Sequence, residues 1–141
     1  MEIKLFEQKY RDDMIFMILE AKDALGRIPR LNNDLLDIIA NYFSTGNMFW
    51  IAIDDENRVI GTIGTKIISE NEMWLKRLFV KSTIKRQGIG KKLYNKSEEF
   101  AKHKGIDTIY TKFSSGYVEA QRFYPAMGFK EIAPYEMVKH L

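Results

Sequence analysis

Residues 80–93, Val80 to Leu93, read VKSTIKRQGIGKKL. An apolar, strand-like run ends at Val80, a basic turn follows, and a helical pattern starts at Gly88-Ile89-Gly90. A helix N-terminus carries unpaired backbone N–H groups and partial positive charge. Glycine lets that backbone approach a ligand closely. Lys85, Arg86, Lys91 and Lys92 add full charges beside it. Such a turn suits phosphate, and pyrophosphate more naturally. Two familiar phosphate loops fit poorly. A Walker loop needs an earlier glycine and a hydroxyl after the lysine, and a dinucleotide turn needs a third glycine where Leu93 stands. A glycine-capped turn with a solvated basic face is the plain alternative.

Outward from this turn the chain reads as alternating elements. On its N-terminal side, Met73–Val80, Arg58–Ile68 and Met48–Ile53 are dense apolar runs joined by short polar links, which predicts an antiparallel meander. Earlier still, Tyr10, Met14, Met17, Ile18 and Ala21 recur at threes and fours, predicting an amphipathic helix over Glu7–Leu25. Asn32 or Asn33 can cap a second helix through Tyr42, with Leu35, Leu36, Ile39, Ala40 and Phe43 inward. Glu2–Phe6 reads as a short first strand. After the turn come a helix over Gly90–Lys104, a strand over Thr108–Phe113, and a helix over Val118–Met127 shortened by Pro125. Phe129–Ala133 and Glu136–Leu141 close the chain as strands. The order β-α-α-β-β-β-α-β-α-β-β predicts an α/β (α+β) domain, a mixed sheet with helices on both faces. With 141 residues, 45% of them hydrophobic, and no linker or repeat, one domain over 1–141 is expected.

Charge is unevenly placed. Residues 1–70 carry 8 Lys+Arg against 12 Asp+Glu, and residues 71–141 carry 14 against 7. Lys76–Lys104 holds 10 basic and 2 acidic residues. That asymmetry points to an anionic partner for the second half. Asp12, Asp13, Asp34 and Asp37 give a weak hint of a cationic acceptor. Cysteine is absent, which excludes disulfides, thiol catalysis and Cys-ligated zinc, and His103 and His140 share no ligand spacing, so no metal is expected. No stretch is long and apolar enough to span a membrane, and no secretory segment opens the chain, so no membrane partner and a cytoplasmic location are expected.

The turn resembles the acyl-CoA-binding motif of the GNAT superfamily of N-acetyltransferases, Gln/Arg-x-x-Gly-x-Gly/Ala at a strand–helix junction. Lys85-Arg86-Gln87-Gly88-Ile89-Gly90 matches both glycines and departs at Lys85, which keeps charge but loses the planar fork. Leu75-Lys76-Arg77-Leu78-Phe79-Val80 is similar to the family's central strand, and Ala120 to Phe129, AQRFYPAMGF, to its Ala-x-x-Phe-Tyr-x-x-x-Gly-Phe signature. The resemblance spans Met48 to Phe129. The first 47 residues match in pattern alone. It implies a GNAT-like, mostly antiparallel central sheet. It also implies acetyl-CoA as cosubstrate, bound by Leu78, Phe79 and Val80 along the pantetheine arm and by Lys85, Arg86, Gln87, Gly88, Ile89, Gly90 and Lys91 at the phosphates. Tyr117 stands where the family often has a pantetheine-binding Asn, and Pro125 replaces a usual helix former.

The implied chemistry is transfer of acetyl from acetyl-CoA directly to a primary amine of a small molecule, peptide or protein. No Ser or Cys nucleophile is required. A backbone N–H near Val80 would polarise the carbonyl. By the same resemblance Tyr124 is the general acid to the CoA thiolate, because a phenol of pKa about 10 is neutral at pH 7. Read from pattern alone, Tyr124 is a core aromatic beside Phe123. Glu72, with Glu70 near it, is the candidate base, and both also read as turn charges. Phe49, Trp50, Trp74 and Tyr42 read as core, or else as walls of an acceptor pocket. Two other classes compete: a catalytically silent acyl-CoA sensor, and a basic nucleic-acid-binding module. The second lacks any recognised motif or aromatic platform, so no nucleic acid is expected. The superfamily resemblance also allows a homodimer.

Overall fold

The computed structural model describes residues 1–84 and 87–141. Its elements run β1 (Glu2–Leu5), α1 (Arg11–Ala24), α2 (Ile38–Asn41), β2 (Phe49–Ile53), β3 (Val59–Ile67), β4 (Glu72–Val80), α3 (Ile89–His103), β5 (Thr108–Lys112), α4 (Ala120–Ala126), β6 (Lys130–Ala133) and β7 (Glu136–His140). Among the described residues seven strands form one sheet in the order β1-β2-β3-β4-β5-β7-β6. Every neighbouring pair is antiparallel except β4–β5. The mixed, mostly antiparallel sheet and the expected element order are both present.

Helices cover both faces, so the core has two halves. On β2, Trp50 and Ala52 join one apolar cluster with Leu93, Tyr94 and Ala101 of α3. Phe49, Ile51 and Ile53 join the other with Met14, Met17 and Ile18 of α1. A strand covered on both faces reads as a continuous apolar run rather than an alternating one. That is why Phe49–Ile53 is buried at every position. Gly64 on β3 marks a close approach: a Cβ there would lie 2.7 Å from the Tyr42 ring and 2.8 Å from Phe49.

The second helix differs from expectation. In place of one helix to Tyr42 there is a 3₁₀ turn over Asn33–Leu36, the single turn α2, and another 3₁₀ turn over Phe43–Thr45. Asp37 causes the break. It leaves helical geometry (φ −144°, ψ 85°), and its side chain accepts the Ala40 N–H, so it begins a new turn instead of continuing the old one. The inward set changes accordingly. Leu35, Ile38 and Tyr42 are buried, while Leu36, Ile39 and Ala40 are exposed.

The feature that positions the site is a bulge in β4. Thr62 pairs with Phe79 and Gly64 with Lys76, so β4 carries one residue more than β3 across this interval. Arg77 takes up the excess with φ 56°, a left-handed conformation unusual for a side chain of this kind. Thr62 Oγ1 donates to the Arg77 carbonyl at 2.8 Å. The Arg77 guanidinium grips Asp34 through Nε at 3.0 Å and Nη2 at 2.9 Å, and the Tyr42 hydroxyl donates to the same carboxylate. Burial works against the ionised Asp34, but the hydrogen bonds from Arg77 and Tyr42 hold its carboxyl below the usual range. The parallel pairing of β4 with β5 runs Glu72↔Thr108, Met73↔Ile109, Trp74↔Tyr110 and stops there. Beyond Trp74 the two strands diverge.

Candidate active site

The gap between the diverging strands holds two compartments that share Leu78, Phe79, Tyr117, Ala120 and Tyr124. The narrower, of about 130 Å³, extends past Val80 to Gly90 and is roofed by Ala21 and Leu25 of the α1 end and by Phe123 of α4. The wider, of about 290 Å³, extends the other way, to Leu75–Arg77 on β4, Thr111 to Ser114 after β5, and Lys22, Arg27 and Asn32.

At the far end of the narrow compartment sits the glycine turn. Gly88 is the N-cap of α3 with φ 76°, a conformation glycine adopts without steric cost. No side chain at the N-cap accepts from this helix, so its first N–H groups are left without that acceptor. Gly90 allows close packing, since a Cβ would meet the Phe123 ring at 3.3 Å. Gln87 and Lys91 are exposed beside the turn, and Ile89 points into the core. Lys85 and Arg86 lie outside the described residues.

Tyr124 stands where the compartments meet. It is only 6% exposed and is ringed by Phe113, Phe123 and Phe129, with centroids 5.2–5.8 Å away. Burial pushes its phenol up to about 12, against a lowering hydrogen bond with Thr111. The group therefore holds its proton at neutral pH. Tyr117 packs on Phe79 at 6.3 Å, and Arg27 lies over the Tyr117 ring at 5.0 Å.

Leu78, Phe79, Val80, Gly90, Tyr117 and Tyr124 are thus gathered around one gap; Gly88 and Lys91 adjoin Gly90 in the chain, whereas Gln87 and Ile89 line a separate cleft with Lys81, Ile84 and Lys92. Glu72 is not among them. It lies at the paired end of β4, about 20 Å of strand from Leu78 at about 3.3 Å per residue. Tyr110 donates to its Oε2 at 2.7 Å and Ser69 to its Oε1 at 3.0 Å. Phe49, Trp50 and Tyr42 are core, and Trp74 packs against the Tyr110 ring at a tilt of 36°. The four N-terminal aspartates are each engaged: Asp12 with Arg11, Asp13 with Arg58 and the Val59 N–H, Asp37 with the Ala40 N–H, and Asp34 with Arg77, itself a wall of the wider compartment. None lines either compartment, so they do not draw a cationic acceptor into it. Pattern reading missed the cations of the wider compartment, which come from four separate segments.

A strand that splays from its parallel neighbour, opens on a glycine-capped helix and presents a buried tyrosine defines a fold class with known members. A family model described as the Acetyltransferase (GNAT) family matches residues 14–129. The chain belongs to that family. It is 33% identical over 107 residues to N-acetyltransferase 8 of Homo sapiens, covering 72% of this chain and 47% of that protein. It thus spans about half the length of such curated relatives. A GNAT-family acetyltransferase of Staphylococcus aureus Mu50 superimposes with a TM-score of 0.90 at 29% identity, over 99% of this chain and 98% of the other. The PaiA N-acetyltransferase of Thermoplasma acidophilum, solved in complex with coenzyme A, superimposes with a TM-score of 0.79 at 22% identity, over 99% and 98%.

Proposed function

We propose that this protein is an acetyl-CoA-dependent N-acetyltransferase that passes the acetyl group directly to a primary amine. The divergence of β4 from β5 beside Tyr124 carries this reading. Strand edges with open backbone groups pair with an extended amide chain. The pantetheine arm carries two amides and lies along Leu78–Val80 in the narrow compartment. The pyrophosphate then meets the N–H groups of the Gly88–Gly90 turn, with Lys91 beside it and Lys85 and Arg86 close in sequence.

The thioester carbonyl is placed near Tyr124, facing the wider compartment. The amine attacks the carbonyl carbon, a C–N bond forms and the C–S bond breaks. The CoA sulfur leaves as a thiolate that accepts a hydrogen bond from the Tyr124 hydroxyl. The proton released by the nitrogen reaches the sulfur through solvent. A thiol of pKa about 8.5 against a phenol pushed well above it makes full transfer uphill at rest, so Tyr124 works by hydrogen-bonding the charge as it develops. Among the described residues no carboxylate or histidine lines the wider compartment. Its cations lower the pKa of a bound ammonium, which supplies neutral amine without a dedicated base.

Two measurements test this. Acetyl-CoA raises the melting temperature by mass action, and thiol release from acetyl-CoA depends on an added amine. No shift and no amine-dependent release across a broad amine panel would end the reading.

A further inference from the structure

The wider compartment has a charge that the cosubstrate does not account for. Lys22, Arg27, Lys76, Arg77 and Lys112 line it, and none of its lining residues is acidic. Arg77 is neutralised by Asp34. Among the described residues no ion pair involves Lys22, Arg27, Lys76 or Lys112. Lys22 is 8% exposed, and its Nζ donates to the Arg30 carbonyl and to Asn32 Oδ1, both at 2.6 Å. Those neutral oxygens fix the ammonium in place without cancelling its charge. Arg27 is steadied by a hydrogen bond from Nη1 to Ser114 Oγ at 2.5 Å and by the Tyr117 ring. The glycine turn, with its own cations, lies at the opposite end of the gap, beyond Val80. The phosphates of the cosubstrate are therefore served elsewhere.

Resting on the acetyl-transfer reading, we infer that the acceptor is a small anionic amine, one that carries a carboxylate or phosphate group near the nucleophilic nitrogen. The anion sits among Lys22, Arg27, Lys76 and Lys112, and the nitrogen points to the carbonyl beside Tyr124. A planar guanidinium beside ammonium groups is suited to fork-like binding of carboxylate or phosphate. A polyamine or a lysine-rich peptide would instead meet like charge on every side. Proton affinities agree with an unneutralised cavity. Lys22 is lowered by burial and then by Arg77 and Arg27, and Lys76 by burial and then by Arg77 and Lys66.

The test is a matched acceptor panel with the whole protein and saturating acetyl-CoA. Aspartate, glutamate and glycine form the carboxylate arm and phosphoethanolamine the phosphate arm. Asparagine amide and glycinamide are neutral controls, and putrescine and spermidine cationic ones. The expected result is a kcat/KM about tenfold or more above the neutral controls for one or both anionic arms, with polyamines slowest. Lys76→Ala with Lys112→Ala raises KM for the anionic acceptor about tenfold and leaves KM for acetyl-CoA unchanged. Lys112→Glu narrows the gap between anionic and neutral acceptors. Preference for neutral or cationic amines, or an unchanged acceptor KM in the double variant, overturns the inference and leaves acetyl transfer standing. A melting shift of the CoA complex by anionic amines without any turnover overturns acetyl transfer and leaves the anion site standing. Neither shift nor turnover overturns both.

Discussion

The two halves of β4 make an instructive pair. From Glu72 to Trp74 the strand is zipped to β5, its backbone is engaged on both edges, and Glu72 is held by Tyr110 and Ser69. From Arg77 to Val80 the same strand keeps β3 on one edge and faces a gap on the other. One extra residue at Arg77 separates these states. Chemistry-bearing residue types occur in both halves. Their placement relative to the bulge decides which can reach a ligand.

The comparison breaks most sharply at Tyr124. Tyr124→Phe keeps the aromatic packing and removes the proton, so kcat for thiol release falls about 100-fold or more with KM for acetyl-CoA little changed. An unchanged kcat would remove Tyr124 from the chemistry. Because its phenol is pushed up to about 12, wild-type kcat shows no fall from loss of this proton through about pH 10. The raised value also acts on stability: its contribution is complete below the unfolded phenol value of about 10 and is lost as pH rises toward 12.

Next in size is the clamp on the bulge. Asp34→Ala leaves the Arg77 guanidinium without its carboxylate and lowers unfolding stability by about 2 kcal/mol, read as a shift in urea midpoint at constant m. The folded Asp34 carboxyl titrates below its unfolded value of about 3.9. Its stabilisation is full above that pH and is lost as pH falls through the folded value, so Asp34→Asn flattens this part of the acid limb. A smaller effect comes from Gly88→Ala. A Cβ there meets nothing within 4 Å, so strain at φ 76° acts alone. The variant loses about 1 kcal/mol, and calorimetric titration gives an acetyl-CoA Kd weaker by about fivefold. Unaltered binding would detach the turn from the phosphates. Smallest is Glu72→Gln at the zipped end, with kcat within about twofold of wild type. A loss beyond about tenfold would restore Glu72 as the base.

Much of this was legible in sequence. The glycine turn, the meander and the Phe123-Tyr124 helix announce themselves through short-range patterns: a Gly-x-Gly before a period of 3.6, runs of 5–9 apolar-rich residues between polar turns, and a glycine after each helix. Two things were not. LKRLFV reads as an unbroken strand, because nothing in it marks Arg77 as left-handed; the clamp comes from Asp34, 43 residues away. The cationic compartment is likewise assembled across the fold, from α1, the segment after it, β4 and β5. The basic stretch Lys76–Lys104 contains only Lys76 and Arg77 of its cations, while Lys22 and Arg27 lie in the net-acidic half, so no charge count could join them. Residues 33–45 misled because Leu35, Leu36, Ile39 and Ala40 mimic a helical face, while Asp37 offers its carboxylate to the backbone and restarts the turn.

The backward-turned Arg77 has a kinetic consequence. Its left-handed backbone costs about 1–2 kcal/mol, a cost the clamp on Asp34 offsets within the fold. Arg77 and its Asp34 clamp build the divergence of the two strands into the chain, so on the proposed reading docking of acetyl-CoA breaks no ladder between them. Association with such a preformed slot follows a single exponential whose rate rises linearly with acetyl-CoA concentration, without the plateau that a slow opening step would impose.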